Sequence, residues 1–350
     1  MTEVLTEIRG KAGIITLNRP KALNALNQNM VELLEQALQD FAANDAVAVV
    51  ILRGAGERGL CAGGDIVALY NDAQENGAAA AKFWHDEYQL NHYISQYPKP
   101  YVAIMNGIVL GGGIGVSAHG SHRIVTDDTR LGMPETGIGF VPDVGGSYLL
   151  SHAPNNLGLH LGLTGAHVGA AEAVAANLAD YYVKTADIAA LIEQLCTTGE
   201  VASIAHFTSE PSPAFAGAVA EIKAVYDADS VEEILARLES HLAPWADDAA
   251  TKIKRNSPLA LKATFESLRY AHDKTLAEAL ETEYVVSNNM HRSADFSEGV
   301  RAQVIDKDRN PQWSPATLNE LTNEEVKRIF APLTDPRIAP LNLTDKEKNS

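Results

Sequence analysis

The chain has 350 residues, 46% of them hydrophobic, and a formal net charge of −17. That length and apolar content suffice for a sizeable core, in one large domain or a domain with an appended module. The acidic balance argues against nucleic acid or anionic membranes as partners, since both demand a concentrated basic surface. Cys61 and Cys196 stand in different segments, which points to a reducing compartment, with the cytoplasm as the expectation. No run is long enough to span a membrane, and the acids scattered through Met1–Glu7 predict no secretory leader.

In chain order, Thr6–Arg9 and Gly13–Leu17 flank Gly10-Lys11 and read as a β-hairpin, with the glycine at the positive-φ position of its turn. Met30, Leu33, Leu34, Ala37, Leu38 and Phe41 then form one apolar stripe at helical spacing, with Asn27 or Asn29 as the cap. Val47–Leu52 is continuously apolar, as strands buried on both faces of a parallel sheet are, and Tyr101–Met105 and the shorter Arg123–Thr126 repeat the pattern. A helix is expected from about Ala79 to Ile94. Strands alternating with helices predict an α/β core over 1–184. Beyond it helices dominate, over Asp187–Cys196, Val231–His241, Pro258–Ala271 and Leu276–Met290. This region, 185–335, is expected to cover the core or to contact another copy of the chain, so a homo-oligomer stays open. The polar end, 336–350, reads as a flexible tail.

Two glycine-rich turns, Cys61–Asp65 and Gly111–Gly115, each follow an apolar strand-like run. Gly113–Ala118 has the outline of a dinucleotide fingerprint, with Asp127 as its acid, but the acid arrives too early and the unit is not N-terminal in the sheet. A backbone anion site fits better: Gly111–Gly113 would open a helix running to about His119, and Asp65 would cap a second one at Ile66. Two carboxylates follow, Glu135 and Asp143, with apolar Ile138, Phe140 and Val141 between them. Burial there would raise a carboxyl pKa and suit it to proton transfer. Their plain alternatives are a solvated turn for Glu135 and a cap for Asp143 on a helix over Ser147–Ser151. His119 and His122 have ligand-like spacing without a third ligand nearby, so no metal is expected. Ser117 and Ser147 form no nucleophile elbow. The basic clusters Arg19/Lys21, Lys252/Lys254/Arg255 and Lys307/Arg309 are weak pointers to an anionic ligand.

Asn18–Leu26, Cys61–Ile66 and Asn106-Gly107 leading into Gly111–Gly113 resemble the enoyl-CoA hydratase/isomerase (crotonase) superfamily. Met133–Thr136 with Pro142–Gly146, and Asp295-Phe296 through Glu298–Ala302 and Ile305–Asp308, are similar to its 3-hydroxyisobutyryl-CoA hydrolase branch, and the likeness extends to about Phe330. The resemblance implies an α/β crotonase-like spiral of ββα units with a helical C-terminal region. It also implies an acyl-CoA substrate, and no cofactor beyond the coenzyme A that the substrate carries. Its oxyanion hole would be the N–H groups of Gly64 and Gly112; Ala62 would line the adenine pocket, and Lys21, Ala22, Leu23 and Ala25 would border the CoA channel. Glu87 would contact substrate, the other reading being an exposed acid on its helix.

Gly115 departs from the hydratases of the superfamily, whose G-G-G-x-E pattern places a catalytic glutamate there. Hydration is therefore disfavoured, and the implied reaction is hydrolysis of a short 3-hydroxyacyl-CoA, such as the 3-hydroxyisobutyryl-CoA of valine breakdown. Glu135 would attack the thioester or activate water while Asp143 orients the hydroxyl or the water. The rival readings are an enoyl-CoA hydratase or isomerase relying on Glu135 alone, and a non-catalytic acyl-CoA-binding protein.

Overall fold

In the computed structural model, which describes residues 2–75 and 77–344, the chain opens as an antiparallel hairpin of β1 (Val4–Arg9) and β2 (Ala12–Leu17). It turns at Gly10, whose φ of 57° suits a residue without Cβ. α1 (Gln28–Ala43) follows; the Asn27 side chain caps it by accepting from the Met30 N–H, and Met30, Leu34, Ala37, Leu38 and Phe41 of its stripe are buried.

Three turns of chain then each send one strand into a large sheet and the next into a small one. β3 (Val49–Gly54) and β4 (Gly59–Cys61) precede α2 (Ile66–Ala73) and α3 (Ala78–Ser95). β5 (Tyr101–Met105) and β6 (Ile108–Leu110) precede α4 (Gly112–Gly115). β7 (His122–Val125) and β8 (Arg130–Gly132) precede α5 (Gly146–Ser151), α6 (Leu157–Thr164) and α7 (Ala170–Ala175). After β9 (Tyr181–Val183) and α8 (Ile188–Thr198), β10 (Thr208–Ser209) closes the large sheet, whose order is β1-β2-β3-β5-β7-β9-β10. That sheet is parallel from β2 to β9 and antiparallel at its two outer pairs, and the small sheet, β4-β6-β8, is parallel throughout.

Both faces of the large sheet are covered. Ile15, Leu17, Val50 and Leu52 join α1 and α3 in the main core, whereas Ile14, Ile51, Val102 and Ile124 pack against Leu191 and Leu195 of α8. Coverage on both sides is why these strands read as unbroken apolar runs rather than as alternation. Beyond the expected boundary at residue 184, α8 covers one face of this sheet and β10 extends it by one short strand. A strand as short as β10 leaves no periodic signal in the sequence.

The remaining helices are α9 (Val219–Tyr226), α10 (Val231–Ser240), α11 (Pro244–Arg255), α12 (Pro258–Ala271), α13 (Leu276–His291), α14 (Ala294–Val300) and α15 (Asn323–Ile329). α13 packs along α3 and α5, and α14 lies against the 3₁₀ turn Glu135–Ile138. Trp84 of α3 stacks on Phe140 at 5.5 Å, and Phe140 meets Phe296 of α14 at 5.6 Å. Backbones touch at this junction: a Cβ on Gly299 would collide with the backbone of Ile138, and one on Gly139, at φ 69°, with that of Asp295.

Residues 336–344, expected to belong to a flexible tail, are fastened to α13 instead. Leu341 is buried, the Tyr284 hydroxyl donates to the Ala339 carbonyl (3.1 Å), and the Leu343 N–H donates to Glu281 (2.6 Å). The rest of that tail, 345–350, lies outside the described residues. Among the described residues no helix is long and apolar enough to cross a membrane.

Candidate active site

Because β4, β6 and β8 run parallel, their C-terminal ends share one edge, and the chain leaves each strand there. Gly63-Gly64 follows β4, Gly111-Gly112 follows β6, and Pro134-Glu135 follows β8. The two glycine turns touch: a Cβ on Gly112 would stand 3.4 Å from the Gly63 carbonyl carbon. Gly63 at φ 106° and Gly111 at φ 46° adopt backbone geometries that side chains disfavour. They precede the N–H groups of Gly64 and Gly112, neither of which meets a protein acceptor among the described residues. α4 is shorter than expected, stopping at Gly115 and passing through turns toward His119. His119 is occupied by the Val144 carbonyl, 2.7 Å from its Nε2, and no cluster of three potential metal ligands exists among the described residues.

Four carboxyls are buried around this edge. Glu135 starts the 3₁₀ turn; its Oε1 lies 2.8 Å from the point a Gly111 Cβ would occupy, and its Oε2 has no partner. Asp143 accepts at Oδ2 from the Tyr88 hydroxyl (2.7 Å), whose oxygen also lies 2.8 Å from Ser287 Oγ. Its side chain does not cap a helix; α5 starts after Gly145 without a side-chain cap. Glu87 of α3 is 2% exposed, which removes the reading of it as a surface acid, and its Oε1 lies 2.7 Å from the Cβ position of Gly112. Glu283 of α13 is the fourth. It accepts from the N–H of Gly145 (2.6 Å), the N–H of Ser147 (2.8 Å) and the Ser147 hydroxyl (2.5 Å), so it grips the turn that carries Asp143.

Burial dominates the electrostatics of all four. It pushes the Asp143 carboxyl up to about 7, against the opposing hydrogen bond from Tyr88, and Glu283 up to about 8, against its bonds from Ser147 and Gly145. Glu87 and Glu135 are pushed above the ordinary carboxylate range by burial first and by the charge of Asp143 second. At neutral pH these acids therefore hold protons among them, the condition in which a carboxyl can exchange one with a substrate.

Beside this edge lies a cavity of about 930 Å³, lined by Leu110, Pro134 and Ile138 and by Leu23, Arg255, Arg309 and Trp313. Lys252 and Lys254 also line it but are ion-paired to Asp248 and Glu239, whereas Arg255 and Arg309 have no ion pair among the described residues. Two of the three basic clusters in the sequence thus converge on one cleft of an acidic protein. Of the residues expected along a CoA channel, Leu23 lines the cavity, Lys21 and Ala22 are exposed, and Ala25 gives its carbonyl to Arg19 (2.6 Å). Ala62 donates its N–H to the Leu23 carbonyl (3.0 Å), tying the two loops together.

Sequence reasoning missed Tyr88, Asn91, Glu283 and Ser287. Glu87 and Asn91 are one helical turn apart, a polar pair on a face that proves to be buried, and that spacing was the available signal. Glu283 offers none, since it reaches the site only through the packing of α13 on α5.

A family model described as "Enoyl-CoA hydratase/isomerase" matches residues 12–330. The "3-hydroxyisobutyryl-CoA hydrolase, mitochondrial" of Danio rerio is 38% identical over 346 residues, 95% of this chain and 91% of that protein. Solved structures are similar as well, two of them at high identity. A carnitinyl-CoA dehydratase from Mycobacterium thermoresistibile has TM-score 0.93 and 47% identity, with 97% of this chain and 99% of that one covered. An enoyl-CoA hydratase from Rhodobacter sphaeroides 2.4.1 has TM-score 0.88 and 39% identity, with 95% and 98% covered.

Proposed function

Since the chain belongs to the enoyl-CoA hydratase/isomerase family, we propose that it hydrolyses a short 3-hydroxyacyl-CoA thioester, 3-hydroxyisobutyryl-CoA foremost, to the 3-hydroxy acid and coenzyme A. The observation that carries this reading is the edge itself: two free N–H groups from touching turns, and the Glu135 carboxyl beside Gly111 with an unpartnered oxygen. A thioester carbonyl oxygen bound between the N–H groups of Gly64 and Gly112 would be stabilised as it becomes an oxyanion, each donor contributing about 3 kcal/mol in the transition state.

Two routes use the same groups. Either Glu135 takes a proton from water, whose oxygen adds to the carbonyl carbon, or its carboxylate adds directly to give an anhydride. In both the C–S bond breaks as the oxyanion collapses, and the CoA thiolate leaves; in the second, water then cleaves the anhydride. Asp143, held by Tyr88, orients the water or the acyl hydroxyl. Single turnover in heavy-oxygen water, with mass spectrometry of the Glu135 peptide, distinguishes them: label in the side chain supports the anhydride, and its absence the general base. Arg255 and Arg309, which line the cavity, would take the substrate's phosphates, and neither route calls on a metal or a further cofactor. The cytoplasm stays our proposed compartment on the strength of two free cysteines, although the curated relative is named as mitochondrial.

The likeness to a carnitinyl-CoA dehydratase and an enoyl-CoA hydratase favours a second reading, addition of water to an enoyl-CoA. Against it stands Gly115, whose Cβ position is crowded by Asn91 and Val144, leaving no room for a second glutamate. A panel of CoA esters decides between them. Release of free thiol from 3-hydroxyisobutyryl-CoA should outpace hydration of crotonyl-CoA, and the reverse order would make the hydrolase reading wrong.

A further inference from the structure

Seven side-chain nitrogen or oxygen atoms are fully buried without a partner among the described residues, and four of them belong to Glu87, Asn91 and Glu135. Folded interiors pair their polar groups, so a cluster of exceptions at one place marks atoms whose partner arrives with a ligand or an ordered water. Glu135 and Glu87 already have assigned roles. Asn91 does not, and it is the extreme case: 0% exposed, with both amide atoms unpaired.

Asn91 follows Glu87 by one turn of α3, so the two side chains share a face. Glu87 Oε1 lies 2.7 Å from the Cβ position of Gly112, and Asn91 Nδ2 lies 2.9 Å from that of Gly115. Gly112 and Gly115 are the two ends of the single turn of α4. A polar turn of α3 therefore faces Gly112 and Gly115 of α4, which carry no side chain, beside the oxyanion donors. An asparagine serving the fold directs its amide at a neighbouring carbonyl, as Asn24 does to Ala55 and Gly59 and Asn288 to Tyr284. Asn91 does not.

A carboxyl oxygen able to accept, one turn from an amide donor, matches a hydroxyl, which gives one hydrogen and offers two lone pairs. A hydrocarbon acyl chain would leave both protein groups unpaired. We propose that Asn91 is a specificity-determining residue of the acyl pocket, donating its Nδ2–H to the oxygen of the acyl hydroxyl while Glu87 accepts that hydroxyl's hydrogen. The proposal rests on the 3-hydroxyacyl-CoA reading above.

The test compares 3-hydroxyisobutyryl-CoA with isobutyryl-CoA, the same skeleton without the hydroxyl, on the parent and on Asn91→Leu and Asn91→Ser, together with Tm. Sites that pair a substrate hydroxyl discriminate steeply against analogues lacking it, so Asn91→Leu should lose about 10²-fold or more in kcat/KM on the hydroxylated ester. Its kcat/KM on the deoxy ester should change less than about threefold, and its Tm should hold or rise, because removing an unpaired buried polar group is neutral or stabilising. Asn91→Ser keeps a small donor and should recover part of the discrimination, and it carries the test alone if the leucine variant does not fold. Equal loss on both esters, or a lowered Tm with discrimination intact, assigns Asn91 to the fold and overturns the proposal. A parent that cleaves neither ester refutes the hydrolase reading and the proposal with it; a parent that cleaves the hydroxylated ester alongside variants of unchanged ratio refutes the proposal alone.

Discussion

Gly115→Glu recreates at one position the pattern of a two-glutamate hydratase, and the structure says it will fail. The backbone itself is no obstacle, since Gly115 is not among the residues with positive φ. A Cβ there would stand 2.7 Å from Val144 Cβ, 2.9 Å from Asn91 Nδ2 and 3.1 Å from Val144 Cγ2. Carbon atoms in contact prefer about 3.5–4.0 Å, so Val144 must retreat by roughly 1 Å. It is poorly placed to do so, being a β-branched residue already at φ 55° and joined to Asp143 on one side and to the Glu283-held Gly145 on the other. Overpacking of this kind costs about 1–3 kcal/mol, and a shift of about 1 Å in a reacting group costs about 10²-fold in rate. The new carboxyl would also enter a cluster of four buried acids that no cation among the described residues offsets. The expected outcome is therefore thioester cleavage reduced about 10²-fold, no hydration of crotonyl-CoA, and a lower Tm that Val144→Ala partly restores. Thiol release and loss of enoyl absorbance measure the two activities on the same preparation. Hydration appearing while thioester cleavage stays within about threefold of the parent would refute the reasoning, because the crowding argument allows no more than a minor change at unstrained sites.

Further outcomes concern the titrating acids and the cleft. With the Asp143 carboxyl pushed up to about 7, kcat/KM should rise with pH through about 7 as it ionises; Tyr88→Phe removes the hydrogen bond that lowers this pKa and should move the limb upward, while Asp143→Asn, which also removes the charge that helps raise Glu135, should change the limb's position without erasing it. A raised acid stabilises the fold fully below its unfolded value, near 3.8 for this residue, and loses that contribution as pH rises through about 7. The Tm of the empty protein should thus fall between pH 4 and 8, less so in Asp143→Asn, and an unchanged slope in that variant would count against the assignment. Glu283→Gln leaves one of the N–H groups of Gly145 and Ser147 facing a donor, a loss of about 1–3 kcal/mol; kcat should drop more than KM rises, and a selective rise in KM would argue that Glu283 touches substrate. Arg255→Ala with Arg309→Ala should raise KM for the CoA ester about tenfold or more, given about 1.5–3 kcal/mol per charged hydrogen bond, yet leave turnover of the corresponding N-acetylcysteamine thioester unchanged. Equal effects on both esters would remove these arginines from phosphate binding.

The hairpin, α1 and the central strands were legible because their signals are local: Gly10 marks the turn, Met30 to Phe41 mark one face, and Tyr101–Met105 is apolar throughout. The glycine turns were legible as a pair for the same reason. The strands of the small sheet, three residues each, were not, because nothing so short carries a period. Glu87 could be read either way, since its burial comes from the distant turn of α4 that it faces, and Glu283 and Ser287 arrive from distant sequence with α13, which packs on α5 and α3. The described part of the tail was misjudged because its anchors, Leu341 and the bonds to Tyr284 and Glu281, are single contacts scattered through polar sequence.

The small sheet also bears on how such a protein can change. Its three strands deliver their products to one edge as separate rungs, a donor from the first, a donor from the second and a carboxyl from the third, and no rung supplies another's component. Gly115, one helical turn past a donor, is not itself a donor, and the groups a side chain there would meet first are Val144 and Asn91, not either glycine turn. The rungs that hold an oxyanion can therefore be inherited intact while the position beside them is rewritten. A lineage on this scaffold is free to exchange one reaction of a thioester for another without first dismantling its grip on the carbonyl.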